Sequence, residues 1–232
     1  MKKHIPNLLT CGNLFCGCLG VNFAYNGNLA WAAYMIGLAG IFDFFDGFVA
    51  RLLNVSSPIG KELDSLADMV SFGFLPGVIM FHLLVPTTSL SPYLPFIAFM
   101  IPIFSALRLA QFNVDTRQSD SFIGVPTPAN AILIGSLPLI SEFHPQFSEW
   151  VVNPFLLLPL TIVMSLLLVA ELPLIALKFK DYSLGNNKIK YTFLVLTVLL
   201  LVFFKFAGVP LVIIAYILLS VLENMTKGGI KN

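Results

Sequence analysis

Four aspartates stand inside apolar stretches, where an ionisable side chain is costly and marks a functional hypothesis by default. Asp43 and Asp46, in Ile41-Phe42-Asp43-Phe44-Phe45-Asp46-Gly47-Phe48-Val49-Ala50-Arg51, are three residues apart and share one helix face. After a break at Ser56-Ser57-Pro58, Gly60, Asp64 and Asp68 recur at steps of four along one face of the next helix. The two acid-bearing faces oppose each other across a turn. Converging carboxylates in a low-dielectric site repel one another, and either take up protons or bind cations. Mg2+ and Mn2+ prefer carboxylate oxygen and use substrate phosphate to complete their shells. The pattern therefore implies two divalent cations and phosphoryl transfer.

The residues between the acids fit an anionic ligand. Gly47 and Ala50 lie on the side of Asp43 and Asp46, and their small side chains admit either a ligand or a neighbouring helix backbone at close range. Arg51 lies about 12 Å from Asp43 along a helix that rises ~1.5 Å per residue. A guanidinium near cations is repelled unless an anion lies between them, which suits a diphosphate; the plainer alternative is an anchor at the helix end.

The elements that position these residues must be membrane helices. Of 232 residues, 57% are hydrophobic and 11% charged, with mean hydropathy +0.89, whereas soluble domains carry roughly a quarter charged residues. A water-soluble enzyme is excluded. A spanning helix needs about 20 mostly apolar residues, and such runs are expected near 8–26, 29–53, 62–84, 93–112, 127–141, 154–177, 191–206 and 209–224. The fifth is short and contains Pro138. The expected fold is an all-α, polytopic bundle of about eight transmembrane helices, forming a single integral domain over 1–232 with its motif at 43–68. Continuous rather than alternating apolar runs speak for helices over a barrel.

Positive charge sets the expected orientation. With a cytoplasmic N-terminus, Lys2, Lys3, Arg51, Lys61, Arg108, Arg117, Lys178, Lys180, Lys188, Lys190, Lys227 and Lys231 all fall inside and only Lys205 outside. Both termini and the acid cluster then face the cytoplasm, in a bacterial or archaeal cytoplasmic membrane. Pro6-Asn7 interrupts the start of the first apolar run, which reads as retained rather than cleaved. A net charge of +1 leaves no basic field for nucleic acid. Cys11, Cys16 and Cys18 have no zinc spacing and suit apolar helix positions. His4, His82 and His144 are too scattered for a metal cluster, and Glu171, expected within the sixth span, needs an interhelical partner.

The run Asp43-x2-Asp46-Gly47-x2-Ala50-Arg51-x8-Gly60-x3-Asp64-x3-Asp68 resembles the full motif of the CDP-alcohol phosphatidyltransferase family. Ile5-Pro6-Asn7-Leu8-Leu9-Thr10 with Asn13 resembles the N-terminal stretch of the same enzymes. Arg108-Leu109-Ala110-Gln111-Phe112-Asn113 and Phe122-Ile123-Gly124-Val125-Pro126-Thr127-Pro128-Ala129 resemble its serine-accepting branch. The resemblance implies an enzyme that moves a phosphatidyl group from CDP-diacylglycerol to L-serine with release of CMP, using two divalent cations, Mg2+ or Mn2+, among membrane lipids and as a homodimer. It implies Asp43, Asp46, Asp64 and Asp68 as metal ligands, with Asp68 also the general base. Asn7, Thr10, Gly47, Ala50, Arg51, Gly60 and Lys61 become candidates for binding the donor. Arg108 and Asn113 become candidates for serine, whose carboxylate needs a cation or amide donors; Arg117 is a further loop cation. Five residues separate Arg108 from Asn113, so Asn113 is expected beyond the helix end.

Two alternatives remain open. The same chemistry could use glycerol 3-phosphate or inositol as the acceptor, the former demanding more cations. A cation-coupled transporter would also place acids within helices, but has no need of the Gly47-Ala50-Arg51 arrangement.

Overall fold

The computed structural model describes residues 4–114, 122–175 and 187–228. The chain is helical almost throughout: α1 (His4–Tyr25), α2 (Leu29–Leu52), α3 (Pro58–Asp68), a π-helical turn at Met69–Phe74, α4 (Leu75–Leu84), α5 (Met100–Val114), α6 (Thr127–Phe143), α7 (Ser148–Val151), α8 (Pro154–Val169), α9 (Lys188–Phe204) and α10 (Gly208–Gly228). Among the described residues the one sheet is a two-residue antiparallel pair between β1 (Phe122–Ile123) and β2 (Pro173–Leu174). Among the described residues, five stretches are long and apolar enough to cross a membrane: His4–Tyr25, Leu29–Leu52, Pro58–Ser89, Leu94–Val114 and Lys188–Asn224, the last comprising α9 and α10. Pro145–Val151 and Pro154–Val169, bent by 65°, make a sixth if taken together. Many large apolar side chains point outward, Phe155 at 86% and Phe203 at 75% exposure among them, as suits helices solvated by lipid tails.

Close approach of the first helices fixes their register. A Cβ on Gly12 would sit 2.9 Å from the ring of Phe42, and one on Gly17 would sit 3.0 Å from the backbone of Ser71. The latter lies in the π-helical turn, and π-bulges interrupt α-helices frequently at functional sites. α1 thus runs antiparallel to α2 and alongside α3 and α4. The core between them holds Ile36, Phe72, Leu75 and Ile79, joined by Leu133, Ile134 and Leu157 from later helices.

The turn between α2 and α3 has legible causes. Asn54 adopts φ 51°, a left-handed conformation that asparagine tolerates better than most residues. Ser57 then caps α3, its hydroxyl accepting from the backbone N–H of Gly60 at 2.9 Å, with Pro58 at the first helical position.

α5 runs antiparallel to α3 and α4. Asn113 meets Ser65, Ser105 lies against Gly73, and Pro102 against Gly77. Both Arg108 and Asn113 belong to α5, which corrects the expectation that Asn113 lies beyond the helix; its amide is drawn to Ser65 and the helix continues to Val114. α6 continues through Pro138 to Phe143. The sixth run, expected over 154–177, ends instead at Val169. Leu172 precedes Pro173, which disfavours helical backbone, and Pro173 has no N–H to donate. Glu171 consequently lies outside the helix and is exposed, so it needs no interhelical partner. Lys2, Lys3, Arg117, Lys178, Lys180 and Lys231 lie outside the described residues.

Candidate active site

Asp43 on α2 and Asp64 and Asp68 on α3 each bring a carboxylate oxygen within 4.8 Å of the other two. This is the i, i+4 face of α3 meeting the α2 face across the capped turn. Asp46 stands apart from that close group. It is 7% exposed, and one of its oxygens accepts from the Thr10 hydroxyl at 2.7 Å. The Pro6 carbonyl is 3.1 Å from the same hydroxyl, so Asp46 is held by α1 rather than by the other acids. Asp46 nonetheless lies within electrostatic reach of Asp43, Asp64 and Asp68, outside only the closest group of three.

Beside them lies a cavity of about 210 Å³ lined by Asn7, Thr10, Asp46, Gly47, Ala50, Gly60, Lys61 and Asp64, with Pro6, Val55, Ser56 and Ser57 completing the wall. Asp46 and Asp64 belong to this wall, which makes the cavity continuous with the carboxylates. Its glycines serve different ends. A Cβ at Gly47 would meet nothing nearer than Arg51 Nη2 at 3.9 Å, whereas one at Gly60 would sit 3.0 Å from Ser57 Oγ and 3.2 Å from Asn7 Oδ1. Gly47 leaves open space, and Gly60 lets α1 approach the N-terminus of α3. Arg51 is exposed beside Gly47, and Lys61 is exposed at the rim. The Lys61 ammonium donates to the Asn113 carbonyl at 2.9 Å.

Sequence reasoning left Asn13 without a role. It is fully buried, and its Nδ2 donates to Asp68 Oδ1 at 3.0 Å. The signal was present, because Asn7, Thr10 and Asn13 recur every three residues and follow one strip of α1. That strip carries polar groups successively to Gly60, Asp46 and Asp68.

The two candidates for serine separate. Five helical residues rotate Arg108 and Asn113 by roughly 140°, and the Asn113 amide donates to Ser65 Oγ at 2.9 Å. Arg108 is 7% exposed and lies within electrostatic reach of Asp68 and Tyr216. Asn113 therefore ties α5 to α3, while Arg108 lies within reach of Asp68.

Such an assembly can hold a cation against a phosphate. Carboxylate oxygens from three residues within 4.8 Å are the hard donor set that Mg2+ or Mn2+ takes, and the adjoining cavity has room and small residues for an anionic group. Among the described residues this is the one group of acids, histidines or cysteines close enough to share a metal ion.

Comparison with known proteins leads to the same class of enzyme. The family model for CDP-alcohol phosphatidyltransferase matches residues 3–167, and the chain belongs to that family. A CDP-diacylglycerol–serine O-phosphatidyltransferase of Helicobacter pylori is 32% identical over 203 residues, covering 86% of this chain and 81% of the relative. The Bacillus subtilis protein of the same name is 38% identical over 130 residues, 54% of this chain and 70% of the relative. An archaetidylserine synthase of Methanothermobacter thermautotrophicus is 32% identical over 147 residues, 62% of this chain and 61% of the relative. Membership in an enzyme family leaves the transporter reading without support.

Proposed function

We propose that this membrane phosphatidyltransferase uses CDP-diacylglycerol as donor and L-serine as acceptor, yielding phosphatidylserine and CMP. The observation that carries the reading is the three-carboxylate group opening into the Gly47–Gly60 cavity, supported by the serine named in the relatives' activities. In this reading Asp43, Asp46, Asp64 and Asp68 would hold two divalent cations, Mg2+ or Mn2+. Bound there, the cations would offset the negative charge of the diphosphate during transfer.

The chain's own groups then divide the work. Asn7, Thr10, Gly47, Ala50 and Gly60 receive the cytidine diphosphate, and Arg51 and Lys61 supply positive charge at its mouth. Asp68, held by Asn13, accepts the serine hydroxyl proton as the oxygen attacks the lipid-bearing phosphorus. The bond from that phosphorus to the bridging oxygen breaks, and CMP leaves with the electron pair. Arg108 attracts the acceptor's carboxylate. The diacylglycerol tails stay in the bilayer, which explains a polar reaction on membrane helices. The wider reading has eight spans, one domain, both termini and the site at the cytoplasmic face, and a homodimer.

The test is CMP release by the purified protein with CDP-diacylglycerol and Mg2+ or Mn2+, offering serine, glycerol 3-phosphate and inositol separately and identifying the lipid formed. Serine-dependent CMP and phosphatidylserine are expected. Turnover with another alcohol alone would overturn the acceptor assignment.

A further inference from the structure

Outside the lining of the donor cavity, three helices bury polar atoms that have no partner. Ser105 Oγ and Arg108 Nε on α5, Thr127 Oγ1 and both amide atoms of Asn130 on α6, and Ser165 Oγ on α8 lack any hydrogen bond among the described residues. Asn130, Ser105 and Ser165 are 0% exposed and Thr127 is 1% exposed. Leaving a buried polar group unpaired is costly, and most buried groups in native proteins find partners. Six of the nine such atoms among the described residues lie on α5, α6 and α8, the others being Asn13 Oδ1, His144 Nε2 and Thr197 Oγ1, and a concentration of this kind calls for a ligand that completes it.

The elements that carry these residues are neighbours. α5, α6 and α8 touch one another pairwise, and both α5 and α6 touch the π-helical turn that follows Asp68. Ser105 abuts Gly73 in that turn. Tyr216, within electrostatic reach of Arg108, donates its hydroxyl to the Ile175 carbonyl at 2.9 Å. Ile175 follows β2, whose partner β1 leads into α6. Gly124, at φ +75°, and Val125 then donate their N–H groups to the carbonyls of Leu172 and Leu167 at 2.9 Å. These links set the first turn of α6, with Thr127 and Asn130 three residues apart on one side, at the same end of the bundle as Arg108 and the tip of α8.

We propose that Asn130, assisted by Thr127, is the specificity-determining side chain of the acceptor subsite, binding the α-amino and α-carboxylate groups of the amino acid beside Arg108. The inference rests on the serine reading above. An amino acid presents donors on its ammonium and acceptors on its carboxylate. Asn130 has an unpaired acceptor, Oδ1, and an unpaired donor, Nδ2, and so complements both. Arg108 supplies the charge for the carboxylate and the Thr127 hydroxyl can do either. A phosphorylated alcohol would bring about two negative charges to a place with one buried cation, and an uncharged polyol would leave the guanidinium without an anion.

The test is steady-state kinetics of Asn130→Leu and Thr127→Val in the full-length protein, with serine and CDP-diacylglycerol varied in turn, beside the thermal stability of each variant without serine. Removing a hydrogen bond to a charged group should raise the serine KM about tenfold to a hundredfold for Asn130→Leu. The KM for CDP-diacylglycerol should stay within about twofold, as expected of a residue away from the donor cavity. Because the amide is unpaired without substrate, the leucine variant should melt no lower than wild type. An unchanged serine KM, an equal rise in both KM values, or a variant that fails to fold would each overturn the assignment. A wild-type protein that does not use serine would instead sink the reading beneath it.

Discussion

The two sides of Asp68 treat polar groups in opposite ways. Toward α1, Thr10 is spent on Asp46, the Asn13 Nδ2 on Asp68, and Ser57 on the backbone of Gly60, so the protein itself holds most of this wall in place, with the Asn13 Oδ1 as its one unpaired buried atom among the described residues. Toward α6, Thr127, Asn130 and the Nε of Arg108 are buried with nothing to bond. A wall held by the protein is suited to a large donor whose diphosphate must be aligned repeatedly with fixed carboxylates. A set of unpaired groups is suited to a small, doubly charged acceptor that supplies the missing partners on arrival. Under the proposed function, the difference teaches that donor and acceptor are recognised by different means.

Breaking the shared centre should have the largest effect. Asp68→Asn is expected to reduce transfer by about 10²–10⁴, the usual contribution of a general base, while CDP-diacylglycerol still binds; near-normal turnover in a CMP-release assay would remove the base role. On the α1 side, Asn13→Leu removes the amide that holds Asp68. The expected loss is about tenfold in kcat, for one hydrogen bond to a charged group, with the KM for serine little changed. An unchanged kcat in Asn13→Leu would show that the amide does nothing for Asp68 that the reaction needs.

Smaller changes sharpen the donor side. Gly47→Ala introduces a Cβ with 3.9 Å of clearance from its nearest neighbour, so the fold should be unaffected. Any several-fold rise in the CDP-diacylglycerol KM then reports ligand in that space, and an unchanged KM would leave Gly47 as helix packing. Asn113→Ala loses its bond to Ser65 and should cost about 1 kcal/mol of stability, read as a lower melting temperature, with no selective change in serine KM. A selective change would return Asn113 to the acceptor site.

The donor side was legible in the sequence and the acceptor side far less so, for physical reasons. Aspartates inside apolar runs declare themselves by their cost, and steps of three and four place them on facing sides without further information. The serine-capped turn, with Pro58 and Gly60, carries ordinary start signals as well. Asn130 is a single amide in a short apolar run, and its importance depends on the absence of a partner, which only packing decides. The π-helical turn at Met69–Phe74 has no compositional mark. The end of α8 was missed because Ala170, Leu172 and Ile175 extend the apolar run, although Pro173 halts the helix. The separation of Asp46 from the other acids likewise depends on α1 offering Thr10, a contact across 36 positions.

The most direct test of the central assignment is phosphatidylserine formation from CDP-diacylglycerol and serine by wild type and Asp64→Asn, first after removal of divalent ions with EDTA and then with Mn2+ restored. Wild type should be silent after chelation and recover with Mn2+, and Asp64→Asn should stay silent in both conditions while remaining folded. Turnover that persists in EDTA, or full recovery by Asp64→Asn, would contradict a carboxylate-held divalent site as the place of phosphatidyl transfer.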